Sequence, residues 1–264
     1  MTAGVLNGRV AAENILNKLR HRIQRQSGTV TLATIQVGRR PDSTLYLKLK
    51  SRAANRVGIK SEHFALPATV SQAKLIQLIV KLNQRRNIHG ILIQLPLPPH
   101  LKTDMVVSAI SIKKDVDGFH PRSLVVPPTI AAVLYLVQAA KPRARATAVI
   151  LGKKSVFTRR LARELSRCGH FAVIVPVTNH IPRITKPADI IVTAIGRGPR
   201  LTARFIKPGA IVIDVGIRRH HGDTSGDVDK SVWTKAKAVS PVPGGVGPLT
   251  VAYLLVNTFK LAGK

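Results

Sequence analysis

Acidic side chains are scarce in this chain: 12 Asp and Glu stand against 42 Lys and Arg, a formal charge of +30. Such a surface repels copies of itself and attracts polyanions, nucleic acid and acidic membrane among them. Cysteine is nearly absent. Cys168 stands alone, which excludes an internal disulfide and fits a reducing, cytoplasmic setting. It has no metal-binding partner in LSRCGH and reads as structural. No apolar run approaches the roughly 20 residues that cross a bilayer, so no membrane association is expected. Aromatic residues make up 4%, which leaves few platforms for stacking bases. An RNP-type aromatic strand, a KH-type loop in context and a zinc knuckle are all missing. So are internal repeats and low-complexity tracts, and the basic residues are scattered along the chain rather than gathered in a tail.

What is present describes a globular α/β protein. A chain of 264 residues is about two domains long, and 45% hydrophobic residues suffice for sizeable cores. The opening 26 residues are basic and nearly acid-free, as in a transit peptide. However, Val10, Ile15, Leu16 and Leu19 fall at helical spacing, so this segment is expected to be the first helix of the fold. Strand and helix then alternate. TLATIQVG (31–38) reads as a strand, 43–57 as a helix, 71–83 as a helix and HGILIQLPLP as a buried strand. Further on come a helix over 129–140, the basic linker KPRARA, the strand TAVILG, a helix over 159–168, and the runs FAVIVPV, ADIIVTAIG and AIVIDVG. Short, continuous, β-branched runs suit parallel strands covered on both faces. Alternation of this kind predicts two α/β domains with mostly parallel sheets, and a cleft between them is the expected place for a small-molecule site. Pro121, Pro127 and Pro128 mark the boundary. The expected domains are residues 1–122, joined by a C-terminal helix over 247–264, and residues 123–246.

Four stretches carry chemistry. In the first, Tyr46 and Lys50 lie four apart and share a helix face. A buried lysine can shed its charge and handle protons near neutrality, although spacing alone also describes an exposed surface pair. In the second, Gln94 ends the apolar run GILI, where ligand crevices of open α/β sheets lie. A buried amide there needs partners, from a substrate or from a neighbouring side chain. The third, KKDVDGFHP, sets Asp115 and Asp117 beside a glycine; the further ligands of a calcium loop are missing. The fourth, SPVPGGVGPLT, is too rich in proline and glycine for a helix or a strand interior. A rigid turn with exposed amides can approach a ligand closely.

In order and spacing these stretches resemble the bifunctional methylenetetrahydrofolate dehydrogenase/cyclohydrolase family, with its YxxxK helix, VQLPLP strand, KDVDG loop and PVPGGVGP turn. LNGRVAA, VIDVGI and GDVD (226–229) extend the likeness along the whole chain. The resemblance implies a folate-binding catalytic domain and a Rossmann-type NAD(P)-binding domain, with NADP as cofactor and NAD as the alternative. It implies oxidation of methylenetetrahydrofolate to the methenyl form, then hydrolysis to 10-formyltetrahydrofolate. By position Lys50 is the catalytic lysine, Tyr46 its stacking partner on the substrate, Gln94 the residue that tunes the lysine, and Asp117 the pterin anchor. Pro243, Gly244 and Gly245 would form the folate-site turn, and Gly152, Lys153, Lys154 and Ile217 would meet the cofactor. Arg52 is expected to help push the lysine toward neutrality. Homodimers paired through the cofactor domain are usual in the family.

The second half departs from the family pattern. GRSxxVGxP becomes GKKSVFTRR, with Lys153 and Lys154 for Arg–Ser, Thr158 for the second glycine and Arg160 for the proline. A β-branched Thr158 is expected to crowd the pyrophosphate or the helix–sheet contact. In the PCTPxG region Pro128, Ile130 and Ala132 replace the cysteine, the proline and a glycine, and the CHSxT strand end becomes VPVTNH. Two other outcomes therefore stand beside the bifunctional enzyme: a cyclohydrolase with a degenerate cofactor turn, or an enzyme-derived basic protein recruited to RNA. The acids favour an enzyme. Asp42, Asp115, Asp117, Asp189, Asp214, Asp227 and Asp229 all lie in family-like motifs; Glu13, Glu62, Asp104, Glu164 and Asp223 do not. His220 and His221 in RRHHGD read as a solvated turn, with no metal expected.

Overall fold

The structure is a computed structural model that describes residues 2–39, 41–120, 122–177, 181, 183–220 and 223–263. Pro121, Thr178, Asn179, His180 and His221, all weighed above, lie outside the described residues, as do the side chains of Asp42 and His220. In chain order the main elements are β1 (Gly4–Val5), α1 (Gly8–Gln24), β2 (Thr31–Val37), α2 (Pro41–Val57), β3 (Lys60–Leu66), α3 (Gln72–Gln84), β4 (Gly90–Ile93) and α4 (Thr103–Ser108). There follow α5 (Pro128–Ala139), β5 (Thr147–Gly152), α6 (Val156–Arg167), β6 (Phe171–Val175), β7 (Ile190–Ala194), β8 (Ile211–Asp214), β9 (Arg218–His220), β10 (Asp223–Ser225), β11 (Ala238–Val239) and α7 (Val246–Leu261). No helix among the described residues is long and apolar enough to cross a membrane.

The chain divides into two compact units, Glu13–Pro128 with Val251–Lys264, and Met1–Ala12 with Thr129–Thr250. The first dozen residues thus belong with the second half of the chain, not with residues 13–122 as expected. The cause is backbone pairing: β1 adds to the six-stranded sheet beside β11, Gly4 opposite Ala238 and Val5 opposite Val239. A strand of two residues has no periodicity to read, so composition and spacing do not reveal it.

Within Glu13–Pro128 and Val251–Lys264, a three-stranded parallel sheet runs in the order β3-β2-β4. β2 is buried at every position, as a central strand covered on both faces should be. Its partner β3, KSEHFAL, is only half-buried and mixed in character, and composition alone does not mark it as a strand. α3 packs Leu75, Ile79 and Leu82 into this core, one helical face, and Ser71 caps its start. Its last carbonyls are not left orphaned: Lys114 Nζ donates to those of Leu82, Asn83 and Arg85 at 2.8–3.0 Å. Asn257 of α7 donates to the carbonyls of Val116 and Val126, tying both ends of the KDVDG loop region to the C-terminal helix.

Within the other unit, six parallel strands take the order β1-β11-β8-β7-β5-β6. β5 is followed in sequence by β6 on one side and then by β7 on the other. The direction of winding reverses there, and ligands of open sheets bind at that point, beyond the carboxyl ends of the strands. β9 and β10 form a small antiparallel pair in the RRHHGD region, where the sequence suggested only a turn.

Gly90 opens β4 because nothing larger fits. A Cβ there would collide with Val116 Cγ1 and press on Leu32 Cδ1 and Thr258 Cγ2 at 3.3 Å. Gly90→Ala should therefore destabilise the protein by about 1–3 kcal/mol. Urea unfolding should show it as a lower midpoint at unchanged slope.

Candidate active site

α2 carries Tyr46 and Lys50 one turn apart, both half-buried. Gln94 follows directly on β4. Its amide nitrogen donates to the Leu95 carbonyl at 2.7 Å, which turns its Oε1 toward Lys50, and Lys50 Nζ donates to that oxygen at 3.1 Å. The chain leaves the site through a cis Leu95–Pro96 bond.

The KDVDG loop supplies the third group. Ile91 N donates to the Lys114 carbonyl at 2.8 Å and Ile91 bridges to Asp115, so the loop is docked on β4. The buried Asp115 carboxylate then accepts from the amides of Gly118 (3.0 Å), Phe119 (3.4 Å) and His120 (3.0 Å). Gly118 takes φ +69 with Pro127 and Val125 backbone atoms packed where a Cβ would lie. Asp117, between these anchors, interacts with Lys50. Lys50, Gln94 and Asp117 are thus brought together as expected. Asp115 is the functional residue that sequence reasoning undervalued. Its carboxylate shapes the loop, and an Asx residue three before a glycine is its only signal in the sequence.

The electrostatics oppose one another. Burial holds the Lys50 amine below its usual range, while Asp117 pulls it back up. Arg52, expected to contribute a cationic push, is exposed two residues on, toward another side of α2; burial does that work instead. Burial raises the Asp117 carboxyl to about 6, against the lowering effect of Lys50, and Asp115 raises it further.

In the other unit the turn of Pro243, Gly244 and Gly245 follows a cis Val242–Pro243 bond. Gly245 N donates to the Pro241 carbonyl at 2.7 Å, and Arg9 N donates to that of Gly244 at 3.2 Å. A Cβ on Gly8 would collide with the Gly245 carbonyl. The LNGR segment is therefore a buttress for the glycine turn, and Asn7 caps α1 by accepting from Arg9 N and Val10 N.

The turn after β5 suits a dinucleotide phosphate. Gly152 lies so close to β7 that a Cβ would stand 2.8 Å from the Ala194 carbonyl. Lys153 and Lys154 are exposed, and α6 begins at Val156 under the Ser155 cap, three residues earlier than expected. Thr158 does not crowd this turn. Its side chain is buried, accepting from Ser155 N at 2.9 Å and donating to the Lys153 carbonyl at 2.9 Å, while Ser155 Oγ accepts from Thr158 N. The threonine closes a capping box inside the turn, leaving the outer face to the lysines. Arg160, at the family's proline, pairs with the buried Glu164 at 2.8 Å. Ile217 stands 44% exposed beyond the end of β8.

Comparison with known proteins matches these parts in order. The family described as "Tetrahydrofolate dehydrogenase/cyclohydrolase, catalytic domain" fits residues 6–117, and its "NAD(P)-binding domain" fits residues 127–264. The chain belongs to the tetrahydrofolate dehydrogenase/cyclohydrolase family. The bifunctional protein FolD of Rickettsia bellii is 38% identical over 96% of this chain and 96% of its own length, and that of Thermus thermophilus is 36% identical over 99% and 97%. Among solved structures, the bifunctional FolD of Campylobacter jejuni superposes with TM-score 0.94 at 36% identity, covering 99% of each chain. The Trypanosoma brucei enzyme, solved with NADP cofactor and an inhibitor, gives 0.93 at 31% identity over 100% and 98%.

Since Asp117 raises the lysine, Asp117→Asn should lower the Lys50 pKa further. A side-chain 15N NMR titration of Lys50 should show its midpoint below 10.5 in the native protein and lower again in the variant.

Proposed function

We propose that this chain is an NADP-dependent methylenetetrahydrofolate dehydrogenase and methenyltetrahydrofolate cyclohydrolase of one-carbon metabolism. The observation that carries the reading is the Lys50–Gln94 hydrogen bond, 3.1 Å long, with Asp117 interacting with the lysine, inside the family's catalytic domain. Bound NADP supplies a hydride acceptor. Oxidation of the methylene bridge leaves a resonance-stabilised methenyl cation. Water then adds to that carbon and loses one proton, and the remaining hydroxyl proton passes to N5 as the C–N5 bond opens, giving 10-formyltetrahydrofolate. A lysine kept neutral by burial can take the proton from water and does not repel the cation. Gln94 Oε1 holds the amine in place. Tyr46 would stack on the substrate rings, and an ionised Asp117 would accept hydrogen bonds from the pterin.

For NADP, Gly152 permits close approach at the winding switch, Lys153 and Lys154 offer cations to its phosphates, and the backbone at Ile217 takes the nicotinamide side. The inward Thr158 removes the steric objection to this site. A second copy of the chain is the proposed partner. β6 ends the sheet with Phe171 63% and Val173 47% exposed, an edge that a dimer would cover. We place the protein in the cytoplasm, where its single thiol stays reduced.

Purified protein given methylenetetrahydrofolate and NADP should form NADPH, and given methenyltetrahydrofolate alone should hydrolyse it. Failure of both steps would overturn the assignment; hydrolysis without NADPH would reduce it to a cyclohydrolase. Lys50→Met should lower the hydrolysis rate by about 100-fold or more. In the pH profile, kcat/KM for hydrolysis should fall as pH drops below about 6, because Asp117 then takes up its proton and ceases to be an anionic acceptor.

A further inference from the structure

Two buried carboxylates in the nucleotide-binding unit have no part in the chemistry above. Asp227, fully buried, accepts from three successive amides beyond β7: Ile195 N at 2.7 Å, Gly196 N at 2.9 Å and Arg197 N at 3.2 Å. Its own carbonyl accepts from Arg200 N and Leu201 N, so one residue holds the segment 195–201 by side chain and main chain together. Asp214, 3% exposed at the end of β8, accepts from Thr193 Oγ1 at 2.8 Å, Gly216 N at 3.0 Å and Val228 N at 3.0 Å. The two acids are reciprocally seated. A Cβ on Gly216 would collide with the Asp227 carboxylate, and one on Gly226 with that of Asp214. Each aspartate lies over the glycine that flanks the other.

This interlock joins the segments that leave β7 and β8 at their carboxyl ends, where an open sheet binds its ligand. Gly196 takes φ +70, with the Ile217 carbonyl 3.9 Å from the position of a Cβ, so the 195–197 turn and the Ile217 backbone lie side by side. The phosphate turn follows β5, and in a dinucleotide fold the adenosine side extends toward the strand that follows it in sequence, here β6. The β7–β8 side is left for the other nucleoside.

We propose that Asp214 and Asp227 are positioning residues for the nicotinamide end of NADP, acting through the backbone turns 195–197 and 215–217 without touching the cofactor. The proposal rests on the dehydrogenase reading. Carboxylates suit this work because, among the described residues, every donor they meet but one is a backbone N–H, and an ionised oxygen accepts from several amides at once. Asparagine keeps the size but turns an NH2 group toward amides that need acceptors.

Asp227→Asn should raise the KM for NADP by at least about tenfold while the KM for methylenetetrahydrofolate moves less than about twofold. Its amides 195–197 should exchange with deuterium faster than in the native protein. Thr193→Val, which removes a single bond to Asp214 and keeps the side-chain shape, is the milder variant and should raise the NADP KM by about threefold or more. The exposed Asp223→Asn serves as control and should match the native protein. If Asp227→Asn does not fold, Thr193→Val decides. Folded variants that bind NADP within twofold of the native protein would overturn the positioning role. Native protein that binds no NADP would instead overturn the dehydrogenase reading.

Discussion

The candidate catalytic group depends on how Asp115 is held. Its backbone is pinned to β4 through Ile91, and its carboxylate gathers the amides of residues 118–120. Between these two fastenings the chain has little freedom, and Asp117 is presented to Lys50 as a consequence. Around it, Lys114 closes the end of α3 and Asn257 secures the carbonyls of Val116 and Val126. Asp115 and Asn257 between them pair backbone groups of a loop that would otherwise carry them unsatisfied into the interior. The motif KDVDG is therefore mostly scaffold: its lysine closes the end of α3, its first aspartate builds the loop, and its second aspartate interacts with Lys50.

The same reasoning bears on the charge of +30. A surface acid can be exchanged for a neutral or basic residue at a cost within about 0.5 kcal/mol, whereas a buried carboxylate that accepts two or three amide bonds cannot. Six of the 12 acids follow that division, while Glu13, Asp104 and Asp223 remain exposed. Asp115, Asp214, Asp227 and Glu164 are buried and bonded. Asp189 holds Arg143 and Lys207 and accepts from Thr147, and Asp229 caps the turn that follows it. The fold fixes where acids are indispensable and leaves the rest of the surface free to become basic.

Much of the architecture was legible because parallel strands buried on both faces write long β-branched runs. β2, β4, β5, β7 and β8 are of that kind. β1 and β11 are two residues long, and β3 is half-exposed; none has a pattern that composition can reveal. The site was legible through motif resemblance more than through periodicity. Spacing placed Tyr46 and Lys50 on one helix face but could not distinguish an exposed pair from a buried one. Thr158 was misread for a related reason. Replacement of a glycine suggests crowding, and only the geometry of the Ser155 cap shows a hydroxyl turned inward to bond the Lys153 carbonyl.

Lys50 and Asp117 are each driven by burial toward their neutral forms, and each opposes that drive in the other. If attraction prevailed outright, the lysine would remain a permanent cation, unable to accept a proton and repelling a methenyl intermediate. If desolvation prevailed outright, the aspartate would be a neutral acid and a poor anchor for a polar ring. Gln94 adds no charge to this balance. Its oxygen binds the amine in either protonation state, because both retain an N–H, so the lysine can gain or lose a proton without losing its position. A carboxylate in that place would have stabilised the ammonium and raised the pKa that burial lowers. The amide, fixed by its own bond to the Leu95 carbonyl, gives orientation alone, and orientation without charge suits the proposed role of the lysine as a proton acceptor beside a cation.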